Sequence, residues 1–181
     1  YAEITFKRFA DELQAKYEAG QYAFGAAENE KCRVAWEGIA VWPYLSYTYK
    51  ALKNRGMNMV GSTYPSAWST HYEVGDLEEM ARGYMRCIYN NGVQNRADVI
   101  SGIMKNTHCT GILYHNNRSC KNMDIMTPEV QQLVKEATGT PYATFDGDQT
   151  DPRNFSEAQY DTRVEALSET MESFIASKAN A

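Results

Sequence analysis

The sequence predicts an α/β protein, a three-layer, doubly wound sheet of about four parallel strands with a long C-terminal helix. Two observations predict it. Short apolar runs of strand length alternate with stretches of helical period along the 181 residues. Strands separated by whole helices cannot pair as hairpins, so they run parallel with the helices as crossovers.

The elements follow in order. Ile4, Phe9, Leu13 and Tyr17 fall close to a helical period, and Gly20 and Gly25 then break the pattern. "RVAWEG" reads as a short buried strand ending at Gly38. "WPYLSYTYKALKNRG" follows as a helix, with Pro43 in its first turn and Gly56 just past its end. "MNMVGST" is a second strand, followed by a loop through Tyr64, Pro65 and Trp68. Asp76 caps a helix, with Glu79 as its reciprocal partner and Leu77, Met80, Ala81, Tyr84, Met85 and Ile88 on one apolar face. A further helix from Gln94 to Asn106 buries Val99, Ile100, Ile103 and Met104. "CTGILYH" is the third strand. Thr127 caps the next helix, with Pro128 at its first position, Val130, Leu133, Val134 and Ala137 as its stripe, and Gly139 after its last turn. "PYATFD" is the fourth strand, and Ser156 starts the final helix, which carries Val164, Leu167, Met171, Phe174 and Ile175. No repeat or linker divides the chain, so residues 1–181 read as one domain of Rossmann-like or flavodoxin-like type.

Composition narrows the function. The chain is 43% hydrophobic and 23% charged, ordinary values for a globular protein. A net charge of -5 argues against nucleic-acid binding, which needs a basic stripe for phosphates. No apolar run approaches the roughly 20 residues of a membrane span, and no signal peptide is visible. The four cysteines, Cys32, Cys87, Cys109 and Cys120, form no CxxC pair, which argues against a self-contained zinc site. A chain of this size needs no disulfide staples, so the expected compartment is a reducing cytoplasm. A start at Tyr1, without Met, reads as a piece of something longer.

In such sheets, sites collect beyond the carboxyl ends of the strands. Four segments end there: "WEGIAVW", "GSTYPSAW", "HNNRSCKN" and "DGDQTD". They place Glu37, Trp42, Ser62, Trp68, Asn117, Arg118, Ser119, Cys120, Asp148 and Gln149 at one edge. Cys32, Cys87 and Cys109 lie in or beside element patterns and read as small buried hydrophobes. Cys120 has polar neighbours, and Arg118 and Lys121 favour its thiolate, the form that binds metal. "DGDQTD" is either a solvated turn or a hard-cation site; without EF-hand spacing, a loop leading into the helix with Asp146 and Asp148 bonding backbone is favoured. His71, His108 and His115 lack metal-ligand spacing and read as satisfied polar residues. Trp36, Trp42, Trp68 and the tyrosines read mostly as core, although Trp42 and Trp68 fall on loops at the active edge.

"YHNNRSCKNM", "TGTPYATFDGDQTDPRNFSEAQYDTRVEAL", "RVAWEGIAVWPYL" and "NMVGSTYPSAW" together resemble the 2-hydroxyacyl-CoA dehydratase family, over about residues 4–174. Within it, the likeness is to the C-terminal domain of an α subunit acting on (R)-2-hydroxyglutaryl-CoA. The resemblance implies an oxygen-sensitive αβ heterodimer of anaerobic amino-acid fermentation. It implies a [4Fe-4S] cluster between two stacked α/β domains, and a separate ATP-hydrolysing activator that injects one electron. The acyl-CoA substrate would pass through a ketyl radical anion and lose water, in this case giving glutaconyl-CoA. Each subunit supplies three cysteine ligands, one of them from RSCK, which matches Cys120.

Family subunits are much longer than this chain. The earlier domain, with two cluster ligands and the groups that move the proton and hydroxyl, is not matched, and Cys32, Cys87 and Cys109 do not match ligand positions. One thiolate cannot hold a cubane that wants about four ligands. The chain alone is therefore expected to carry no stable cluster and no activity, with its catalytic residues elsewhere. It is also expected to show an apolar face around Trp42, Tyr64 and Trp68 where the other domain sits. Two alternatives remain: a subunit of benzoyl-CoA-reductase type, and a non-catalytic α/β binding module in which Cys120 is structural.

Overall fold

In the computed structural model, which describes residues 1–21 and 29–179, four parallel strands form one sheet. The elements are α1 (Ala2–Glu18), β1 (Cys32–Glu37), α2 (Leu45–Asn54), β2 (Met57–Ser62), α3 (Thr63–Ala67), α4 (Leu77–Met85), α5 (Val93–Asn106), β3 (Gly111–Asn117), α6 (Lys121–Thr138), β4 (Tyr142–Gly147) and α7 (Glu157–Ala179). Gly25 lies outside the described residues. The strand order is β2-β1-β3-β4. The chain steps one way from β1 to β2, then crosses back to β3. The carboxyl ends of β1 and β3 therefore flank the switch point, where an open α/β sheet leaves a crevice.

Alternation along the strands sorts the core into two layers. Val34 and Trp36 of β1, Leu113 of β3 and Phe145 of β4 face one side. There they pack on Ala51 and Leu52 of α2 and on Tyr160, Val164, Leu167 and Met171 of α7. Ala35, Ile112 and Tyr114 face the other side, against Ala97, Ile100 and Met104 of α5 and Val130 and Val134 of α6. All of these side chains are buried.

Several boundaries differ from the expectation. Strand β3 runs on through Asn116 and Asn117, because β4 pairs with both, at Asp146 and Gly147. Tyr64 and Pro65 lie in α3 rather than in a loop, and Trp68 is its C-cap. Helix α6 begins at Lys121 with Cys120 as its N-cap, so Pro128 lies inside the helix and Thr127 is no cap. The expected stripe on α4 is not a core face: Leu77, Tyr84 and Met85 are exposed, and Gly83 is its buried residue. Ala137 of α6 is likewise exposed. Helix α1 buries no side chain, although Phe6, Phe9, Leu13 and Tyr17 line one side of it.

A candidate thiol-bearing pocket at the strand ends

Beyond the carboxyl ends of β1 and β3 lies a pocket of about 230 Å³. Its walls come from Gly38 and Ile39 after β1, Tyr64 and Trp68 around α3, and Tyr89. His115 and Asn117 of β3, Cys120, Asn122 and Met123 at the start of α6, and Gln149 after β4 close it. Gly38 has φ +99°, and a Cβ there would lie 3.2 Å from the His115 carbonyl oxygen, so the sharp exit from β1 needs glycine. Its amide donates to Thr63 Oγ1 at 3.2 Å, which ties the turn to α3.

Cys120 is half-buried and stands where β3 passes into α6. Its amide donates to the Asn117 carbonyl at 2.8 Å, and its own carbonyl accepts from the Met123 and Asp124 amides, both at 3.1 Å. The N-terminal end of an 18-residue helix carries unsatisfied N–H groups, an environment suited to an anion.

The loops around the thiol are cross-braced. Asn117, which is buried, donates from Nδ2 to Gln149 Oε1 at 3.0 Å. Its Oδ1 accepts from the Gln149 amide and the Ser119 hydroxyl, both at 3.2 Å. Asp148 Oδ1 accepts from the amides of Thr150 and Asp151, both at 2.9 Å. These backbone donors hold the Asp148 carboxyl below its ordinary range. Asp148 thus shapes the loop that presents Gln149. The backbone-bonding reading of "DGDQTD" thus holds for Asp148 but not for Asp146, whose carboxylate accepts from the Asn116 side chain at 3.1 Å and faces Arg118.

His115 lines the pocket from beneath. Its Nδ1 lies 2.6 Å from the Ile39 carbonyl, which can only accept, so Nδ1 carries the proton. Burial lowers its pKa, against smaller opposing effects of the Ile39 and Gly147 backbone and of Asp148 and Asp146, and the ring is held neutral. It stacks on Phe145 with centroids 5.0 Å apart. Nε2 is buried without a well-formed hydrogen bond.

A second cleft of about 200 Å³ adjoins the first and shares Gly38 and Tyr64 with it; Trp42 and Ser62 line it. The Tyr64 ring stands edge-on to both Trp42, at 6.2 Å, and Trp68, at 5.9 Å. Trp68 is 72% exposed and Trp42 48%, so the aromatic face expected at this edge is present and open.

The remaining expected residues sit apart from the pocket wall. Glu37 is 1% exposed and ion-paired to the equally buried Arg96, so it does not face a ligand. Arg118 is exposed and lies 3.9 Å from Asp146, and Ser119 serves Asn117. Tyr89, Asn122 and His115 line the pocket without having been singled out for it, and Arg96 was missed altogether. Arg96 was nonetheless legible: it lies four residues before Ile100 on the buried face of α5, a charge on an apolar stripe.

Among the described residues no three His, Cys, Asp or Glu side chains come together to hold a metal ion. The pocket offers one thiol, that of Cys120. No described helix is long and apolar enough to cross a membrane.

A family model described as 2-hydroxyglutaryl-CoA dehydratase, D-component, matches residues 1–171. The chain is 51% identical to lactoyl-CoA dehydratase subunit alpha of Anaerotignum propionicum, across 97% of this chain and 42% of that protein. It is 42% identical to the (R)-2-hydroxyisocaproyl-CoA dehydratase alpha subunit of Clostridioides difficile, across 93% of this chain and 41% of that protein. Against (R)-2-hydroxyglutaryl-CoA dehydratase subunit alpha of Acidaminococcus fermentans the identity is 36%, across 94% and 35%. The chain thus spans less than half the length of these relatives.

Proposed function

This chain belongs to the 2-hydroxyglutaryl-CoA dehydratase D-component family, and on that premise we propose that residues 1–181 form one α/β domain of an α-type subunit of a 2-hydroxyacyl-CoA dehydratase, a hydro-lyase. The observation that carries the reading is the placement of Cys120. It is the one cysteine at the carboxyl edge of the sheet, on a helix N-terminus, beside a pocket walled by aromatics. Cys32 and Cys109 are buried, and the half-buried Cys87 bonds the Ala67 carbonyl at 3.4 Å.

Cys120 supplies one thiolate of an iron–sulfur cluster, and the other ligands come from outside this chain. Such a cluster, when bound, supplies single-electron chemistry at the substrate thioester. The residues of this chain bind and orient. Trp68 and Tyr64 exclude water from one side of the pocket, and the Gln149 side-chain amide, fixed through Asn117, offers a donor to a substrate oxygen. Assembly with a further domain, a second subunit and an ATP-dependent activator belongs to the same reading, in a reducing compartment that leaves all four cysteines free.

An uncharged acyl group fits better than glutaryl. Among the described residues no Lys or Arg lines the pocket, and Arg118 turns to Asp146, so a second carboxylate would lie there unpaired. The relative with 51% identity is named for lactoyl-CoA and the one with 36% for 2-hydroxyglutaryl-CoA, which points the same way.

The test is anaerobic iron–sulfur reconstitution of the subunit that carries this sequence, as wild type, Cys120→Ser and Cys109→Ser. Iron and sulfide should be lost in Cys120→Ser alone. Full cluster retention in Cys120→Ser, with loss in Cys109→Ser, would show the ligand assignment to be wrong. Turnover of lactoyl-CoA or 2-hydroxyisocaproyl-CoA above 2-hydroxyglutaryl-CoA is the expected substrate order. Ring reduction of benzoyl-CoA in place of dehydration would favour the reductase-type alternative.

A further inference from the structure

Among the described residues, Arg96 is a large charged side chain sealed inside the fold, at 0% exposure. A buried ion pair is not a stability device in itself, because the desolvation of both charges offsets much of their attraction. Its bonding suggests another purpose. Nε and Nη2 both lie 3.0 Å from Oε1 of Glu37 at the carboxyl end of β1. Nη1 donates to the Met123 carbonyl at 3.0 Å, and Nη2 reaches Thr127 Oγ1 at 3.5 Å. One planar guanidinium on α5 therefore spans from β1 to the first turns of α6.

Those turns need an anchor. Pro128 has no N–H, so the Asp124 carbonyl lacks its helical donor just where the helix begins. The neighbouring Met123 carbonyl takes side-chain donors, Arg96 Nη1 and Thr127 Oγ1, the latter at 2.8 Å. Met123 in turn donates its amide to the Cys120 carbonyl. A bonded path thus runs from Glu37 through Arg96 and Met123 to Cys120.

We propose that Arg96, held by Glu37, is a positioning residue that fixes the first turn of α6 and with it the orientation of Cys120 toward the pocket. Its functional meaning rests on reading Cys120 as the cluster thiol, but the positioning is testable without metal. The experiment is hydrogen exchange on the metal-free 181-residue chain, together with the rate of Cys120 alkylation. Arg96→Lys keeps the charge opposite Glu37 but replaces the planar fork by a single nitrogen, which loses the span between Glu37 and the Met123 carbonyl. Exchange at the Met123 and Asp124 amides should rise about tenfold, the effect expected for losing a charge-assisted hydrogen bond. Cys120 alkylation should change at least about threefold along with it. The Val134 amide, farther along α6, and the Leu113 amide in the sheet should keep wild-type protection. Glu37→Gln leaves the bond to Met123 in place and should disturb the turn less than Arg96→Lys does.

A uniform loss of protection through α6 and the sheet would make the pair merely structural and overturn the proposal. So would unchanged exchange and alkylation in a folded Arg96→Lys. Should Arg96→Lys not fold, Thr127→Val carries the test: the turn should stay protected because Arg96 remains, and its loss would assign the anchor to Thr127 instead. Failure of the cluster reading would appear separately, as iron retained in Cys120→Ser, and would leave the exchange pattern untouched.

Discussion

Gly147 ends β4 against the ring of His115, and adding one methyl group there tests how firmly that ring is held. A Cβ on Gly147 would lie 2.7 Å from His115 Nε2 and 3.2 Å from Cδ2. Ordinary contact between such atoms needs roughly 3.5 Å or more, so the ring must retreat by the better part of an ångström. It has little freedom to do so. The Ile39 carbonyl fixes Nδ1 at 2.6 Å, Phe145 stacks on its face at 5.0 Å, and Val41 lies 3.2 Å from the new methyl on the other side. Overpacking a rigid site of this kind costs about 1–3 kcal/mol. For a domain of this length each kcal/mol lowers Tm by about 2–4 °C, so Gly147→Ala should unfold about 2–12 °C below wild type. Two reference variants set the scale. Gly102→Ala in α5 meets open space and should raise Tm by about 1–4 °C through its better helix propensity. A Cβ at Gly111 would lie 2.7 Å from both Cγ and Sδ of the buried Met171, so Gly111→Ala should also lower Tm, by less than Gly147→Ala to the extent that this unbranched side chain can repack where the pinned ring cannot. Thermal unfolding followed by circular dichroism is the assay. A Gly147→Ala melting point within about 1 °C of wild type would refute the claim that His115 is pinned.

Timed alkylation of the folded chain with mass-spectrometric readout should label Cys120 first, because burial raises the Cys32 and Cys109 thiols and keeps them protonated; equal labelling of Cys109 would contradict this. His115 has a folded pKa below its ordinary 6.5, so the stability it contributes is present above about pH 6.5 and lost as pH falls below it. Denaturant titrations from pH 7.5 to 5 should therefore show falling stability in wild type and a flatter profile in His115→Asn. Asp148 behaves likewise at lower pH: its contribution is present above about pH 4 and lost as pH falls through its depressed value. Asp148→Ala should lower stability at pH 7 and soften the acid limb. Trp68→Ser should reduce binding of a hydrophobic dye by the chain without changing Tm, because that ring is 72% exposed.

Most of the sheet was legible because its strands are apolar runs bounded by glycine and proline, and its helices carry stripes. "RVAWEG" and "PYATFD" read as strands for that reason. The start of α6 was not legible, because Thr127-Pro128 imitates a cap while the true start has the weak capping residue Cys120. What holds that start is tertiary, a guanidinium from α5, and local pattern cannot report it. The stripe on α4 misled in the opposite direction, since periodicity shows which residues share a face but not whether anything covers it. At the pocket, the placement of Cys120, Asn117, Gln149 and Trp68 at the carboxyl edge followed from topology, although Asn117 ends a strand and Trp68 and Cys120 cap helices. Glu37 did not, because a carboxylate at a strand end looks the same whether it faces a ligand or a buried arginine.

The strand order also sets when the pocket can form. Strands β3 and β4 meet across short separations, as in the contact of Asn116 with Asp146, 30 residues apart. Strands β1 and β3 meet across 77, as between Val34 and Gly111. Closing the longer loop costs only about 1 kcal/mol more in chain entropy, yet pairings of high sequence separation are slow to find. The crevice lies on that late seam. During refolding, β3, α6 and β4 can assemble with Cys120 already on its helix end while the wall from β1 is still absent. For that interval the thiol is open to solvent and to oxidants, so a chain refolded in air is expected to be damaged at Cys120 before it is damaged anywhere in the finished core.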